Sequence, residues 1–71
     1  MNNGEYLKAL KMLSPREVEI LDMVGQGMTN REIPQKLNLS VRTVQNHRQN
    51  ICKKLNLIGR NSLLKWVLKV K

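Results

Sequence analysis

The stretch TNREIPQKLNLSVRTVQNHRQNICKKL, residues 29–55, decides the fold, because it predicts two helices joined by a short turn. The first helix spans about residues 30–37 and the second about residues 41–55, with roughly three residues between them. A short helix, a tight turn and a longer helix form the layout of a helix-turn-helix. Many helical hairpins share this layout, so the surface of the longer helix must indicate its use.

The signals at the helix ends support this interpretation. Thr29 and Glu32 have the spacing of a capping box, in which each side chain accepts a hydrogen bond from the other residue's backbone N–H. Ser40 is an N-cap for the longer helix, and Asn38 can take the left-handed conformation that ends the shorter one. Pro34 lacks a backbone N–H and crowds the carbonyl four residues earlier, so we expect a kink or a delayed start in the shorter helix.

Two further helices flank this pair. One is predicted over about residues 15–26, because Ser14 and Glu17 form a second capping box and Gly27 can close the helix. The other is predicted over about residues 60–70. Since the chain lacks the alternation of β-branched residues that strands need, the fold class predicted is all-α, a four-helix bundle that contains a helix-turn-helix.

A single domain is expected over residues 13–71, with residues 1–12 as an N-terminal extension or linker remnant that can add a helical turn or two. The chain has 71 residues, which is the length of one small domain. No apolar run approaches the roughly 18–20 residues of a membrane-spanning helix, and the polar start does not resemble a signal peptide.

Composition excludes several classes of function. The single cysteine, Cys52, permits no intramolecular disulfide and is typical of a cytoplasmic chain. With the single histidine, His47, it makes at most two good ligands, too few for a structural zinc site, so no metal or cofactor is expected. These two side chains point about 140° apart on one helix, where they cannot form a nucleophile–base pair, so we do not expect an enzyme.

Charge is distributed unevenly along the chain. The 13 Lys and Arg residues outnumber the 5 Asp and Glu residues, for a net charge of +8. All five acids fall in residues 1–32, whereas residues 33–71 hold nine bases and no acid. A field of one sign over half of a small domain indicates a polyanionic partner, either nucleic acid or an anionic membrane surface.

The longer helix of the predicted pair has two distinct faces. At 100° per residue a core stripe lies within an arc of about 80° and consists of Val41, Val44, Ile51 and Leu55. The opposite side and its flanks hold no acid and consist of Arg42, Gln45, Asn46, Gln49, Asn50 and Lys53. Amides suit bidentate pairing with adenine, while Arg and Lys suit guanine or phosphate, so this face is typical of a helix that reads base edges in duplex DNA.

Two features of the chain leave alternatives open. Arg48 lies beside the core stripe, where it can reach a phosphate or pair with an acid of the 15–26 helix. The last helix has more apolar surface than its own core requires, which favours burial of Trp66 or Leu68 in a dimer. Alternatively, the N-terminal segment folds over that surface.

Many positions together resemble the LuxR/NarL/FixJ-type (GerE-type) DNA-binding domain. The matching positions are LSPRE at residues 13–17, IL at residues 20–21, Gly27, TNREI at residues 29–33, Leu37, Ser40, TV at residues 43–44, His47, NI at residues 50–51, KL at residues 54–55 and Arg60. The resemblance covers about residues 13–70. It implies a bacterial transcriptional regulator, either the output domain of a two-component response regulator or a free-standing protein. It also implies a homodimer through the last helix, bound to inverted half-sites of double-stranded DNA.

The resemblance also implies roles for individual residues. Base contacts fall on Gln45, Asn46 and Gln49. The family often has lysine at the position of Gln45, and the glutamine there favours contact with adenine. Phosphate contacts are expected from Thr29, Asn30, Ser40, Arg42, Thr43, Arg48 and Lys53. Glu17 and Arg60 correspond to a structural ion pair. The expected dimer interface consists of Leu64, Trp66 and Leu68.

Two other functions fit part of this pattern. A domain similar to region 4 of sigma factors also contains a basic helix-turn-helix, and it would act mainly through contacts with RNA polymerase. The basic, apolar helix of residues 60–71 could instead lie on a membrane surface. Duplex DNA is the expected partner, because base-edge reading explains the amide-rich, acid-free face of the longer helix better than solubility does.

Overall fold

The computed structural model describes residues 3–59 and 61–70, and all the regular secondary structure in these residues is helical. The helices are α1 (Asn3–Met12), α2 (Pro15–Gly25), α3 (Glu32–Leu37), α4 (Val41–Lys54) and α5 (Ser62–Val70). The all-α fold class and its helix-turn-helix, formed by α3 and α4, are thus confirmed. The described residues contain five helices rather than four, because the N-terminal segment forms a complete helix of 10 residues.

The core is built around α2, which packs against both α4 and α5. Its fully buried members are Ile20, Leu21, Val24, Ile33, Val44, Ile51, Leu63 and Val67. Of the stripe predicted on α4, Val44 and Ile51 are in this core and Leu55 packs against it partly buried. The prediction for Val41 was wrong, because this residue begins α4 at the edge of the bundle and its exposed fraction is 49%.

Three helices end in the same left-handed turn, at Gly27, Asn38 and Asn56, with φ angles of 86°, 55° and 57°. In each case the next residue's N–H returns to a carbonyl five residues earlier, which satisfies an otherwise unpaired group at the helix end. These bonds are Met28 N to Met23 O (3.1 Å), Leu39 N to Pro34 O (2.9 Å) and Leu57 N to Cys52 O (2.8 Å). The endings predicted at Gly27 and Asn38 are confirmed.

Pro34 delays the start of α3 as expected. The capping box is present, because Thr29 N–H donates to Glu32 Oε1 (2.8 Å) and Glu32 N–H donates to Thr29 Oγ1 (3.2 Å). Ile33 N–H also reaches Thr29 O at 3.1 Å. The next bond of the ladder would need an N–H on residue 34, which proline lacks. Regular helix therefore begins at Glu32 rather than at residue 30.

The N-terminal helix α1 packs on α5. The rings of Tyr6 and Trp66 stack with centroids 6.2 Å apart and an interplanar angle of 28°. Trp66 Nε1 donates to Glu5 Oε1 at 3.3 Å, and Ala9 of α1 is buried. For Trp66, then, the structure shows the N-terminal segment folded over α5. No helix in the described residues has the length and apolar content of a membrane span.

Candidate nucleic-acid interface

The start of α4 is fixed by a local hydrogen-bond network. Thr43 N–H donates to Ser40 Oγ at 3.0 Å, as the N-cap predicted, and Ser40 Oγ donates to Thr43 Oγ1 at 2.8 Å. The hydroxyl of Ser40 is therefore used within the helix cap. Thr43 accepts in this bond, so its own hydroxyl hydrogen is available to a phosphate oxygen.

The three carboxamides assigned to base contacts are all exposed. Gln45, Asn46 and Gln49 lie on the side of α4 that faces away from the core residues Val44 and Ile51. At 100° per residue the three occupy an arc of about 100°. Because nothing in the described part of the chain covers them, this face of α4 can enter a groove of duplex DNA.

Two cations flank the carboxamides along α4. Arg42 is exposed near its first turn and Lys53 is exposed in its last turn. Eleven residues of helix place them roughly 16 Å apart along the axis. Neither forms an ion pair with an acid among the described residues. Both charges are thus free for phosphates on either side of the surface that the carboxamides present.

Glu17 is the one buried charged residue among those described, with an exposed fraction of 4%. Its Oε1 accepts hydrogen bonds from Lys54 Nζ at 2.7 Å and from Ser14 N–H at 2.8 Å. Burial alone would raise the pKa of the Glu17 carboxyl, but these two donors outweigh it and hold the pKa below its ordinary value. The residue is thus a structural ion that joins α2 to α4.

Lys54 is the partner of Glu17 that sequence reasoning missed. Arg60, for which the family resemblance implied this role, lies outside the described residues. Lys54 entered the sequence analysis only as one of the positions that resemble the LuxR/NarL/FixJ-type domain. Its position about 60° from Ile51 on the helical wheel was the available signal, since a lysine stem beside a core residue can reach across to a neighbouring helix. This lysine therefore supports the fold, unlike its neighbour Lys53.

Arg48 is half-buried and forms no ion pair with an acid of α2 among the described residues. Burial lowers the pKa of its guanidinium, although Cys52 nearby acts in the opposite direction. A guanidinium keeps its charge at neutral pH even so. Of the two alternatives open for this side chain, phosphate contact is the one that the geometry favours.

Two clefts meet at Arg48. The larger, of about 820 Å³, lies between α4 and the loop that leads to α5, and Gln45, Gln49 and Lys53 line it. The smaller, of about 270 Å³, is lined by Thr29 and Asn30. The structure thus brings together residues of the turn before α3 and of α4 that are distant in sequence. Thr29 Oγ1 accepts from the N–H of Arg31 and of Glu32, so its hydroxyl hydrogen is also available.

The three residues assigned to a dimer interface do not share one face of α5. Leu64 and Leu68 are one turn apart on the same side, whereas Trp66 points about 160° away from Leu64. Trp66 is half-buried against α1, Leu64 is half-buried beside the smaller cleft, and Leu68 is 66% exposed. An interface on this helix would therefore be centred on Leu64 and Leu68.

Comparison with known proteins is consistent with this geometry. The family described as bacterial regulatory proteins, luxR family, matches residues 11–67. The chain is 44% identical over 61 residues to proteins named oxygen regulatory protein NreC from Staphylococcus carnosus, Staphylococcus epidermidis and Staphylococcus aureus. The match covers 86% of this chain but only 28% of each relative's length. No solved structure matches the chain significantly.

Proposed function

Because this chain belongs to the LuxR family of bacterial regulatory proteins, we propose that it binds duplex DNA at specific sequences, with α4 in the major groove. The family regulates transcription by binding DNA and is not a class of enzyme. The observation that carries the finer proposal is the exposed, acid-free face of α4. Its carboxamides, Gln45, Asn46 and Gln49, can each pair with the edge of a base.

The cations and hydroxyls around this face would hold α4 in register. Arg42 and Lys53 would contact phosphates at the two ends of the helix, and Thr43 would donate from its free hydroxyl. Arg48 would reach a phosphate beside Thr29 and Asn30, across the smaller cleft. Ser40 would contact a phosphate through its backbone at the start of α4, since its hydroxyl already donates to Thr43.

A symmetric dimer would bind two inverted half-sites about one helical turn apart. Leu64 and Leu68 are the residues of α5 that would meet in it. The chain spans 28% of the length of its NreC relatives, so a role as the output domain of a response regulator, and any response to oxygen, are proposals that concern a longer protein. This domain would supply the DNA contacts of such a regulator.

Selection from a random duplex library, followed by a salt titration, tests this proposal. We expect an enriched inverted repeat. The slope of log K against log salt should be near −3 for a monomer that neutralises about three to four phosphates, and about twice that for a dimer. Enrichment of no sequence would contradict specific recognition. Binding to RNA polymerase without affinity for any duplex would favour the alternative similar to sigma-factor region 4.

A further inference from the structure

Val41 is an exposed apolar residue at the start of the helix that is proposed to enter the major groove. Among the described residues the exposed large hydrophobic side chains are Leu7, Met12, Val41, Ile58 and Leu68, and Val41 is the one of these on α4. Its isopropyl group contributes little to the core, since 49% of its surface is exposed. Valine also has a lower helix propensity than the straight-chain polar residues, because its β-branched side chain loses rotamer freedom in a helix.

The position of Val41 continues the row of carboxamides. Val41, Gln45 and Gln49 follow one another at intervals of four residues, so each is rotated by about 40° and raised by about 6 Å relative to the last. The three side chains form a single ridge along α4. In helix-turn-helix proteins the N-terminal residues of this helix contact base edges, which places the first member of the ridge nearest to the bases.

Local structure holds the Val41 side chain in place. The hydrogen bonds between Ser40 and Thr43 fix the backbone on both sides of it. A β-branched side chain in a helix has one strongly preferred rotamer, so little side-chain entropy is lost when it is buried. The residue is thus a rigid apolar group at the edge of an otherwise polar surface.

We propose that Val41 contacts the 5-methyl group of a thymine next to the base read by Gln45. This inference rests on the proposed function. The thymine methyl is the apolar group that base pairs present in the major groove, and a valine can recognise neither a phosphate nor a hydrogen-bonding base edge. The contact would add a preference for thymine at one position of each half-site, beyond the preferences set by the carboxamides.

Replacement of thymine by uracil isolates this contact, because it removes one methyl group and leaves base pairing unchanged. Starting from the selected duplex, each thymine is replaced in turn, and affinity is measured for the wild-type chain and for Val41→Ala. At one position per half-site the wild type should lose about fourfold in affinity, the factor that corresponds to ~0.8 kcal/mol for one buried methyl group. Val41→Ala should bind both duplexes equally at that position.

Ile58→Ala is the matched control, because Ile58 is also an exposed aliphatic residue, at 90%, but lies in the loop after α4. It should retain the uracil sensitivity of the wild type. Circular dichroism establishes that the variants fold, and Val41→Ser, which also lacks both methyl groups, replaces Val41→Ala if that variant is unfolded.

The outcomes separate this inference from the proposed function. If no duplex is selected by the wild type, the proposed function fails and the inference fails with it. If a sequence is selected but no uracil substitution has an effect that Val41→Ala abolishes, specific binding stands and the role of Val41 is wrong.

Discussion

Lys54 donates from Nζ to Oε1 of Glu17 over 2.7 Å, and this contact ties the last turn of α4 to the first turn of α2. The same carboxylate oxygen accepts from Ser14 N–H within the capping box. One buried acid therefore sets both the start of α2 and the position of the proposed recognition helix. The orientation of the DNA-facing surface thus depends on a group on the opposite side of α4.

The Glu17 carboxyl should make the stability of the domain depend on acid pH. Its pKa is lowered in the folded state from an ordinary value of 4.5, so between the two pKa values the unfolded chain binds more protons. The stabilisation is complete above the unfolded-state value and is lost as the pH falls through the folded-state value. Thermal unfolding of the wild type between pH 7 and pH 2.5 should therefore show a steeper decline than that of Glu17→Gln. Parallel curves for the two proteins would contradict this role.

Neighbouring lysines on α4 should separate stability from DNA affinity. Lys54→Ala leaves the buried Glu17 without its cation, and we expect a loss of about 1 kcal/mol in the free energy of unfolding, because Lys54 itself is partly exposed. Lys53→Ala should leave stability unchanged, weaken binding to all duplexes alike and reduce the magnitude of the salt slope by about 1. Denaturant unfolding and fluorescence anisotropy on both variants provide the two measurements, and an exchange of the two phenotypes would overturn the assignment.

The carboxamide of Gln49 should discriminate between bases. Removal of a good bidentate pair costs about 1–3 kcal/mol of discrimination against the wrong base, so Gln49→Ala should bind the selected duplex and random duplexes with more similar affinities. Gln26→Ala is the control, since Gln26 is an exposed amide at the C-cap of α2 that donates to Asp22 Oδ2 at 2.8 Å. Competition titrations measure the ratio of the affinity for the selected duplex to the affinity for random duplexes. An equal loss of affinity for both kinds of duplex would assign Gln49 to phosphate contact instead.

Helix ends could be predicted from the sequence because their chemistry is local. The left-handed turn at Asn38 and the cap at Ser40 depend on residues within one turn of each other, and both are present. The Lys54 contact to Glu17 joins residues 37 positions apart, so no short pattern contains it. Val41 was wrongly assigned to the core. A helical wheel gives the direction in which a side chain points, but not whether a neighbouring helix extends far enough to cover it.

The last helix shows the same limit. Its surplus of apolar residues indicated a covering partner, but the sequence could not decide between a second copy and the chain's own N-terminus. The structure assigns the Trp66 side to Tyr6 of α1, because stacked rings and the bond to Glu5 satisfy both the apolar face and the indole N–H. On the other side of α5, Leu64 packs partly buried against the core, whereas Leu68 remains 66% exposed among the described residues.

Tyr6 should therefore contribute to stability through the α1–α5 contact. Tyr6→Ala removes an aromatic pair and exposes Trp66, and we expect a loss of about 1–2 kcal/mol in the free energy of unfolding. The emission of Trp66, the single tryptophan of the chain, should shift to longer wavelength. Lys8→Ala, on the exposed side of α1, is the control and should leave both quantities unchanged. An unaltered emission spectrum for Tyr6→Ala would show that α1 does not cover Trp66 in solution.

Leu68 should govern dimerisation without affecting the fold. Because its side chain is 66% exposed, Leu68→Asp costs little in the isolated domain but places a charge where two copies of α5 would meet. Sedimentation on the selected inverted repeat should then show one bound chain in place of two, and the salt slope should fall by about half. Leu7→Asp, at an exposed leucine of α1 with an exposed fraction of 58%, should leave two chains bound. If Leu68→Asp still binds as a pair while Leu7→Asp does not, the dimer forms through α1 rather than through the Leu68 side of α5.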